Sequence, residues 1–493
     1  MAYPFLERAG EIRRANDKAG SDLVRPENTR IGVLVSDLHS SPSRKTSDVA
    51  SAYSPIAAWT SLAILLLLSM ISILDRQIIA LMVEPIKRDL RLSDTELGLL
   101  QGFAFALFYS IASIPLGWAV DRYPRKIIIY LAVTTWSLSA AACGLASSFW
   151  QLFFGRTMVG VGEASLTPAS VSLISDLFPP EKVGTPMGIY AAGFYLGSGV
   201  ALGVGGLVVS LFVGSASVSF PIIGDIASWQ AVFLVTGLPG FAFAFLALLL
   251  RDPRPPRRAD AHRKSAVQGF GAYLTGNWSV VVYSFGAFGL ASLVAYAMGA
   301  WTPAYFARTF GWQPGEIGWV WGLVVALSGA AGAVMGGMLI DRVNRAGVRD
   351  ACLIVPAGSS LIAWPLVTMG YIVASPLLAI LSLGFGMVAL GVVSAGSFST
   401  WQRIAPPSLR GRVSACFVLV SSLLGAGTGP VVVAFITDYI LRDERLLGQS
   451  LAWTMGLAIP AMAMLLVLGR SACANGIRLD FLPSNMPNVA STK

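Results

Sequence analysis

Histidine is almost missing from this chain of 493 residues. His39 and His262 are the only two, and neither lies in an apolar stretch. Metal chemistry and histidine-based proton relays inside an apolar core are therefore not expected. The four cysteines, Cys143, Cys352, Cys416 and Cys473, have neither paired nor metal-ligand spacing and read as small packing residues. No nucleophile–base pair, metal cluster or phosphate-binding loop is present, so no enzyme and no cofactor is expected. Charge is scarce too: 12% of residues are charged, against about 25% in soluble domains.

Apolar residues take that place, at 55% of the chain, with a mean hydropathy of +0.68. They come in blocks as long as a bilayer-spanning helix, roughly 20 residues. Ile127–Ala146, Trp229–Leu250, Ile317–Ile340, Ala351–Val373 and Val413–Thr437 hold no charged residue. Twelve spans are predicted, at 57–83, 95–120, 126–146, 150–176, 184–212, 228–250, 277–307, 315–340, 350–373, 376–400, 411–438 and 447–469. The net charge of +9 is spread over short loops and a tail rather than one face, which argues against a nucleic-acid partner. Loops after even-numbered spans hold 16 basic residues and the others hold 6. Both termini are thus expected in the cytoplasm. Residues 1–54 lack the apolar stretch of a signal peptide and read as a disordered cytoplasmic tail or a misassigned start.

The chain also repeats itself. Gly117-Trp-Ala-Val-Asp121-Arg122-Tyr-Pro-Arg125 follows span 2, and Gly337-Met-Leu-Ile-Asp341-Arg342-Val-Asn-Arg345 follows span 8. Pro179-Pro180 with Gly184 leads into span 5, and Pro406-Pro407 with Gly411 leads into span 11. Two echoes in register, six spans apart, indicate a duplicated six-helix unit. The expected divisions are a tail at 1–54, a bundle at 55–250, a basic, proline-rich linker at 251–275, a second bundle at 276–470 and a tail at 471–493.

These motifs resemble the major facilitator superfamily. Gly117–Lys126 looks like its loop signature, and Phe154-Gly-Arg156-Thr-Met-Val-Gly160-Val-Gly162-Glu163-Ala164 looks like its fourth-helix motif. Leu74-Asp75-Arg76 together with Gly160–Ser165 narrows the resemblance to spinster-like transporters. Two departures are visible. Ser72-Ile73 stands where that family often has Asn-Tyr, and span 5 has Gly197-Ser198-Gly199 in place of a Gly-Pro pair. The resemblance implies an all-α membrane protein of the major facilitator fold, with twelve transmembrane helices in two pseudo-symmetric bundles. It further implies a monomer in the cell inner membrane and a cytoplasmic gate drawn from Asp121, Arg122, Arg125, Asp341, Arg342 and Arg345. A lysolipid or sphingoid cargo is implied as well.

Asp75, Arg76, Arg156 and Glu163 are the only charges well inside the spans. Such charges are costly in a bilayer and face a partner or a wet cavity. Arg156 and Glu163 are two helical turns apart on one face, with room between them for span 1 or a ligand. Gly160 and Gly162 are expected to let span 1 approach, and Pro168 to bend span 4. Asp75 is the expected protonation site and Glu163 its assistant, with Arg76 or Arg156 competing for the carboxylate or gripping an anionic group. The second half carries aromatics instead, and Tyr283, Tyr296, Trp301 and Trp321 are candidate cavity residues. An ionic wall facing an aromatic one suits an amphipathic substrate moved with protons through membrane lipid. A small organic acid is the alternative cargo, and a receptor or passive scramblase is the alternative class.

Overall fold

A computed structural model describes residues 55–474 apart from 180–181, 213–216, 221–223, 254–270, 272, 349 and 405–408. The tail at 1–54, most of the predicted linker and most of the residues after 470 lie outside it.

Among the described residues, eleven helices are long and apolar enough to cross a membrane: Pro55–Leu81, Asp94–Arg122, Arg125–Cys143, Gly184–Phe212, Ser228–Leu249, Trp278–Phe310, Pro314–Arg345, Ala351–Gly370, Pro376–Ser397, Arg412–Leu441 and Glu444–Arg470. They are spans 1 to 3 and 5 to 12. Span 4 is present as two shorter helices, Phe149–Glu163 and Leu166–Leu177, separated by Ala164 and Ser165. Pro168 explains the break: it has no N–H to donate to the Ala164 carbonyl, and its ring crowds that carbonyl. The predicted bend is therefore found, and it places Glu163 at the last helical residue before the gap.

Three features were not legible in the pattern. Span 1 changes pitch near its end, from α-helix over Pro55–Gln77 to a tighter 3₁₀ turn over Ile78–Leu81. A short helix, Val83–Leu90, follows. Between spans 5 and 6 a hairpin of β1 (Ser217–Phe220) and β2 (Gly224–Ala227) departs from an all-helical chain. We call the membrane side bearing this hairpin the hairpin end, and the side bearing Asp121 and Asp341 the turn end.

The first six spans and the last six meet along two seams at the hairpin end. In one, span 5 lies against span 8 with backbones nearly touching: a Cβ built on Gly206 would stand 2.8 Å from the Gly318 Cα. In the other, span 2 lies against span 11, and a Cβ on Gly102 would stand 2.5 Å from the Ala426 carbonyl oxygen. Both helices widen to π turns at that seam, over Leu99–Phe103 and Ser422–Gly427. Small residues let helices pack this closely where no hydrophobic force acts between them. At the turn end the equivalent places are open. Nothing lies within 4 Å of a Cβ built on Gly117, Gly184, Gly188 or Gly337.

Gly160 and Gly162 do not face span 1, as the sequence suggested. Gly160 admits the backbone of span 2 at Phe105, and Gly162 admits span 3 at Trp136, with built Cβ distances of 2.6 and 2.7 Å. Gly162→Ala is therefore expected to destabilise the protein by about 1–3 kcal/mol through overpacking. Gly117→Ala, which meets nothing, is expected to be neutral or stabilising by up to ~1 kcal/mol. Thermal unfolding of both variants in detergent checks the contrast.

Candidate functional site

The charged centre forms where span 1 changes pitch. Arg156, with a relative exposure of 0%, crosses from span 4 to the backbone of span 1. Its Nη1 donates to the Asp75 carbonyl at 3.0 Å and its Nη2 to the Arg76 carbonyl at 3.3 Å. Carbonyls near the end of an α-helix lose regular partners, and a guanidinium also suits the negative pole of the helix dipole. Arg156 thus fixes the last α-helical turn of span 1, which carries the other two ionic groups.

Arg76 pairs with Glu163 through its Nη2. Its guanidinium carbon lies 4.4 Å from the centre of the Phe105 ring and 5.9 Å from that of Tyr109, both on span 2. Thr157 donates to the Ala104 carbonyl at 3.2 Å and holds this stretch of span 2 against span 4. Asp75 is 1% exposed, and neither of its carboxyl oxygens has a hydrogen-bond partner. The indole N–H of the buried Trp136 lies beside Asp75 without forming a hydrogen bond of good geometry. The predicted quartet is thus brought together as two unlike pairings. One arginine holds a carboxylate, the other holds backbone, and one acid is left over.

The four aromatic candidates separate. Tyr296 of span 7 is half-buried and lies within electrostatic range of Arg76 and Tyr109. Trp301 and Trp321 do not line a cavity. Trp301 is fully buried and donates to the Pro430 carbonyl at 2.8 Å, and Trp321 packs on Phe306 at 5.9 Å between ring centres. Tyr283 packs against Gly469 of span 12.

At the turn end, Asp121, Arg122, Asp341, Arg342 and Arg345 are exposed. Arg122 stacks on Trp118 at 4.1 Å. Arg345 donates to the Asp341 carbonyl of its own turn at 3.4 Å. Arg125 differs. It is buried, holds Asp252 through its backbone N–H and guanidinium, and pairs with Asp176 at 2.7 Å, so it ties spans 3, 4 and 6 together within the first half. Arg470 and Asp350 form a pair within the second half.

Among the described residues, the ionic contacts between halves lie at the hairpin end, in charges that the sequence did not single out. Arg308 of span 7 bonds Glu84 at 2.6 Å and Asp94 at 2.6 and 2.8 Å. Lys87 bonds the same Asp94 at 2.6 Å and Glu444 at 2.7 Å. Thr95 donates to Asp438 through N and Oγ1, both at 2.7 Å. One clue was available in the sequence. Ser93 and Glu96 form a capping box that starts span 2 and sets Asp94 and Thr95 on its first turn.

A charged centre, paired ends of opposite state and twelve spans are now in view, and residues 65–430 match the sequence profile of the Major Facilitator Superfamily. The chain belongs to that superfamily. It is 27% identical over 420 residues to an MFS-type efflux pump of Mycolicibacterium smegmatis, covering 85% of this chain and 92% of that one. It is 25% identical over 401 residues to Protein spinster of Drosophila melanogaster, covering 78% of this chain and 62% of that one. A crystal structure of a bacterial homolog of the human lysosomal transporter spinster, inward-facing and unoccupied, superposes with a TM-score of 0.68 at 25% identity. It covers 88% of this chain and all of that one. This is a spinster-like, multi-pass membrane transporter.

Asp94 has no exposed surface and holds two mostly buried cations. Asp94→Ala leaves both without a full partner, a loss of about 2–5 kcal/mol for a buried, hydrogen-bonded charge pair. The hairpin end is then expected to open more often. Electron–electron distance measurements between spin labels at Arg91→Cys and Arg442→Cys check this, and a longer-distance population in the Asp94→Ala background is the expected result.

Proposed function

We propose that the chain is a proton-coupled secondary transporter of an amphipathic organic molecule such as a lysolipid or sphingoid-type lipid. It works by alternating access in the cell inner membrane, with both termini cytoplasmic. On that orientation the turn end faces the cytoplasm, and the structure is inward-facing: locked at Arg308–Asp94 and open at Asp121 and Asp341. The observation that carries the reading is Asp75, a buried carboxyl with no hydrogen-bond partner beside a complete Arg76–Glu163 pair.

An unpaired carboxylate in such a place costs several kcal/mol, and a proton removes that cost. Asp75 is the group that carries the proton in this state, and Glu163 shares it when the pairing changes. If Arg76 moves from Glu163 to Asp75, Asp75 gives up its proton and span 1 shifts with it. Span 1 continues through its 3₁₀ turn into Glu84 and Lys87, so that shift acts directly on the lock at the hairpin end. Closure of the turn end would then bring Asp121, Arg122, Asp341 and Arg342 into contacts they do not make in this state, with Arg125 supporting the first half beneath them.

The lipid-like cargo rests on the resemblance of Leu74-Asp75-Arg76 and Gly160–Ser165 to spinster-like transporters. A second reading, transport of small organic acids, is favoured by a hexuronate transporter of Bacillus subtilis that is 25% identical over 391 residues, covering 76% of this chain. Under that reading Arg76 would hold the substrate carboxylate.

The test is substrate-dependent proton flux in proteoliposomes with a pH-sensitive dye inside. Asp75→Asn is expected to abolish proton movement and Asp75→Glu to retain part of it. Proton flux unchanged in Asp75→Asn would sink the assignment. Inhibition by simple carboxylates and not by lysolipids would favour the second reading.

A further inference from the structure

Arg76 occupies a place with the construction of a cation-binding site. Its guanidinium lies on the face of Phe105, near the ring of Tyr109 and within electrostatic reach of Tyr296 from the other half. Glu163, with a side-chain exposure of 1%, closes the site as counter-ion and keeps one oxygen, Oε1, unpartnered. Aromatic faces with a carboxylate at the edge are how proteins hold organic ammonium groups.

Two observations mark Arg76 as the replaceable member of the quartet. Its side chain is 22% exposed, whereas Arg156 is sealed. Arg156 is anchored at two backbone carbonyls, whereas Arg76 is held by a single ion pair. The charges agree. With both carboxyls ionised, removal of Arg76 leaves Asp75 and Glu163 against Arg156 alone, an excess of one negative charge that one organic cation or one proton balances. The second half offers no interior charge in spans 7 to 11, and its Tyr296 lies within electrostatic range of the site.

We propose that Arg76 is a tethered surrogate for the cationic headgroup of the substrate. An organic ammonium or phosphonium with an apolar body displaces Arg76 from Glu163 and takes its place on Phe105 and Tyr109. The displaced arginine becomes available to Asp75, so cargo and proton compete for the same pair of acids. This rests on the reading of the charged centre as the transport site, and it chooses a cationic headgroup over a carboxylate one.

The experiment is equilibrium binding to the purified full-length protein in lipid nanodiscs, with no gradient, corrected against empty discs. The probes are tetraphenylphosphonium, tetradecyltrimethylammonium and tetradecyl sulfate. At least one cation is expected to bind and the sulfate not to. Binding of the single-chain cation alone assigns a lipid-like cargo, and of the phosphonium alone a compact aromatic one. Glu163→Gln should weaken binding about tenfold or more, Phe105→Leu about fivefold, and Arg76→Gln should strengthen it several-fold by removing the competitor, in line with the known strength of cation–aromatic contacts. Phe105→Leu and Arg76→Gln carry the test if Glu163→Gln does not fold. Binding of the sulfate alone, or loss of binding in Arg76→Gln, overturns the proposal. Cation binding of this pattern without proton-linked flux would retain the headgroup site and refute the coupling. Sulfate binding with proton-linked flux would do the reverse.

Discussion

The rest of the site depends on one interaction, the Arg156 guanidinium held by two carbonyls of span 1. A charge sealed in protein at membrane depth needs partners, and span 1 supplies two acceptors where its α-helix gives way to a tighter turn. The bond sets both the position and the rotation of the residues whose carbonyls it takes. Those residues are Asp75 and Arg76, so the orientation of the ionic side chains follows from a backbone contact. Arg76 then meets Glu163, which the break before Pro168 has left at a helix end, and Asp75 points into protein with no partner.

That arrangement is tied to the hairpin end by covalent continuity. Span 1 runs from the charged centre into Glu84 and Lys87 within nine to twelve residues, and these grip Arg308, Asp94 and Glu444. Two glycine-lined seams flank the lock. Where backbones touch through glycine, the contact is all or none, because small shifts lose dispersion steeply. The π turns of spans 2 and 11 meet at one seam, and they are the places where these helices already depart from regular hydrogen bonding. The halves therefore meet closely at the hairpin end, while at the turn end Gly117, Gly184, Gly188 and Gly337 face open space.

Much of the fold was legible because bilayer-length apolar blocks and a repeated turn are long, redundant signals. Asp75, Arg76, Arg156 and Glu163 were legible as a set for a related reason: charges inside apolar blocks are conspicuous. How they pair was not legible. Helical spacing placed Arg156 and Glu163 on one face but carried no information on which neighbour each would meet, and Gly160 and Gly162 proved to serve spans 2 and 3. Trp301 and Trp321 were read as cavity residues because aromatics at a cavity wall and aromatics in a packed seam have the same sequence appearance. Arg125 was expected with the cytoplasmic gate and is found buried, clamping Asp176 and Asp252. The hairpin-end lock was hidden because Asp94, Arg308 and Glu444 sit at span edges, where charge is ordinary.

The sequence by itself determined the membrane class, the duplicated helical plan, the break at Pro168 and the identity of the ionic quartet. Each of these depends on local composition or spacing. Tertiary structure alone decided that Arg76 holds Glu163, that Arg156 holds backbone, that Asp75 stands unpaired and that the two halves lock at the hairpin end. Those outcomes depend on which helices become neighbours along the chain, from 80 residues apart for Arg156 and Arg76 to 224 for Arg308 and Glu84. They depend also on where buried donors find acceptors, which no single span specifies.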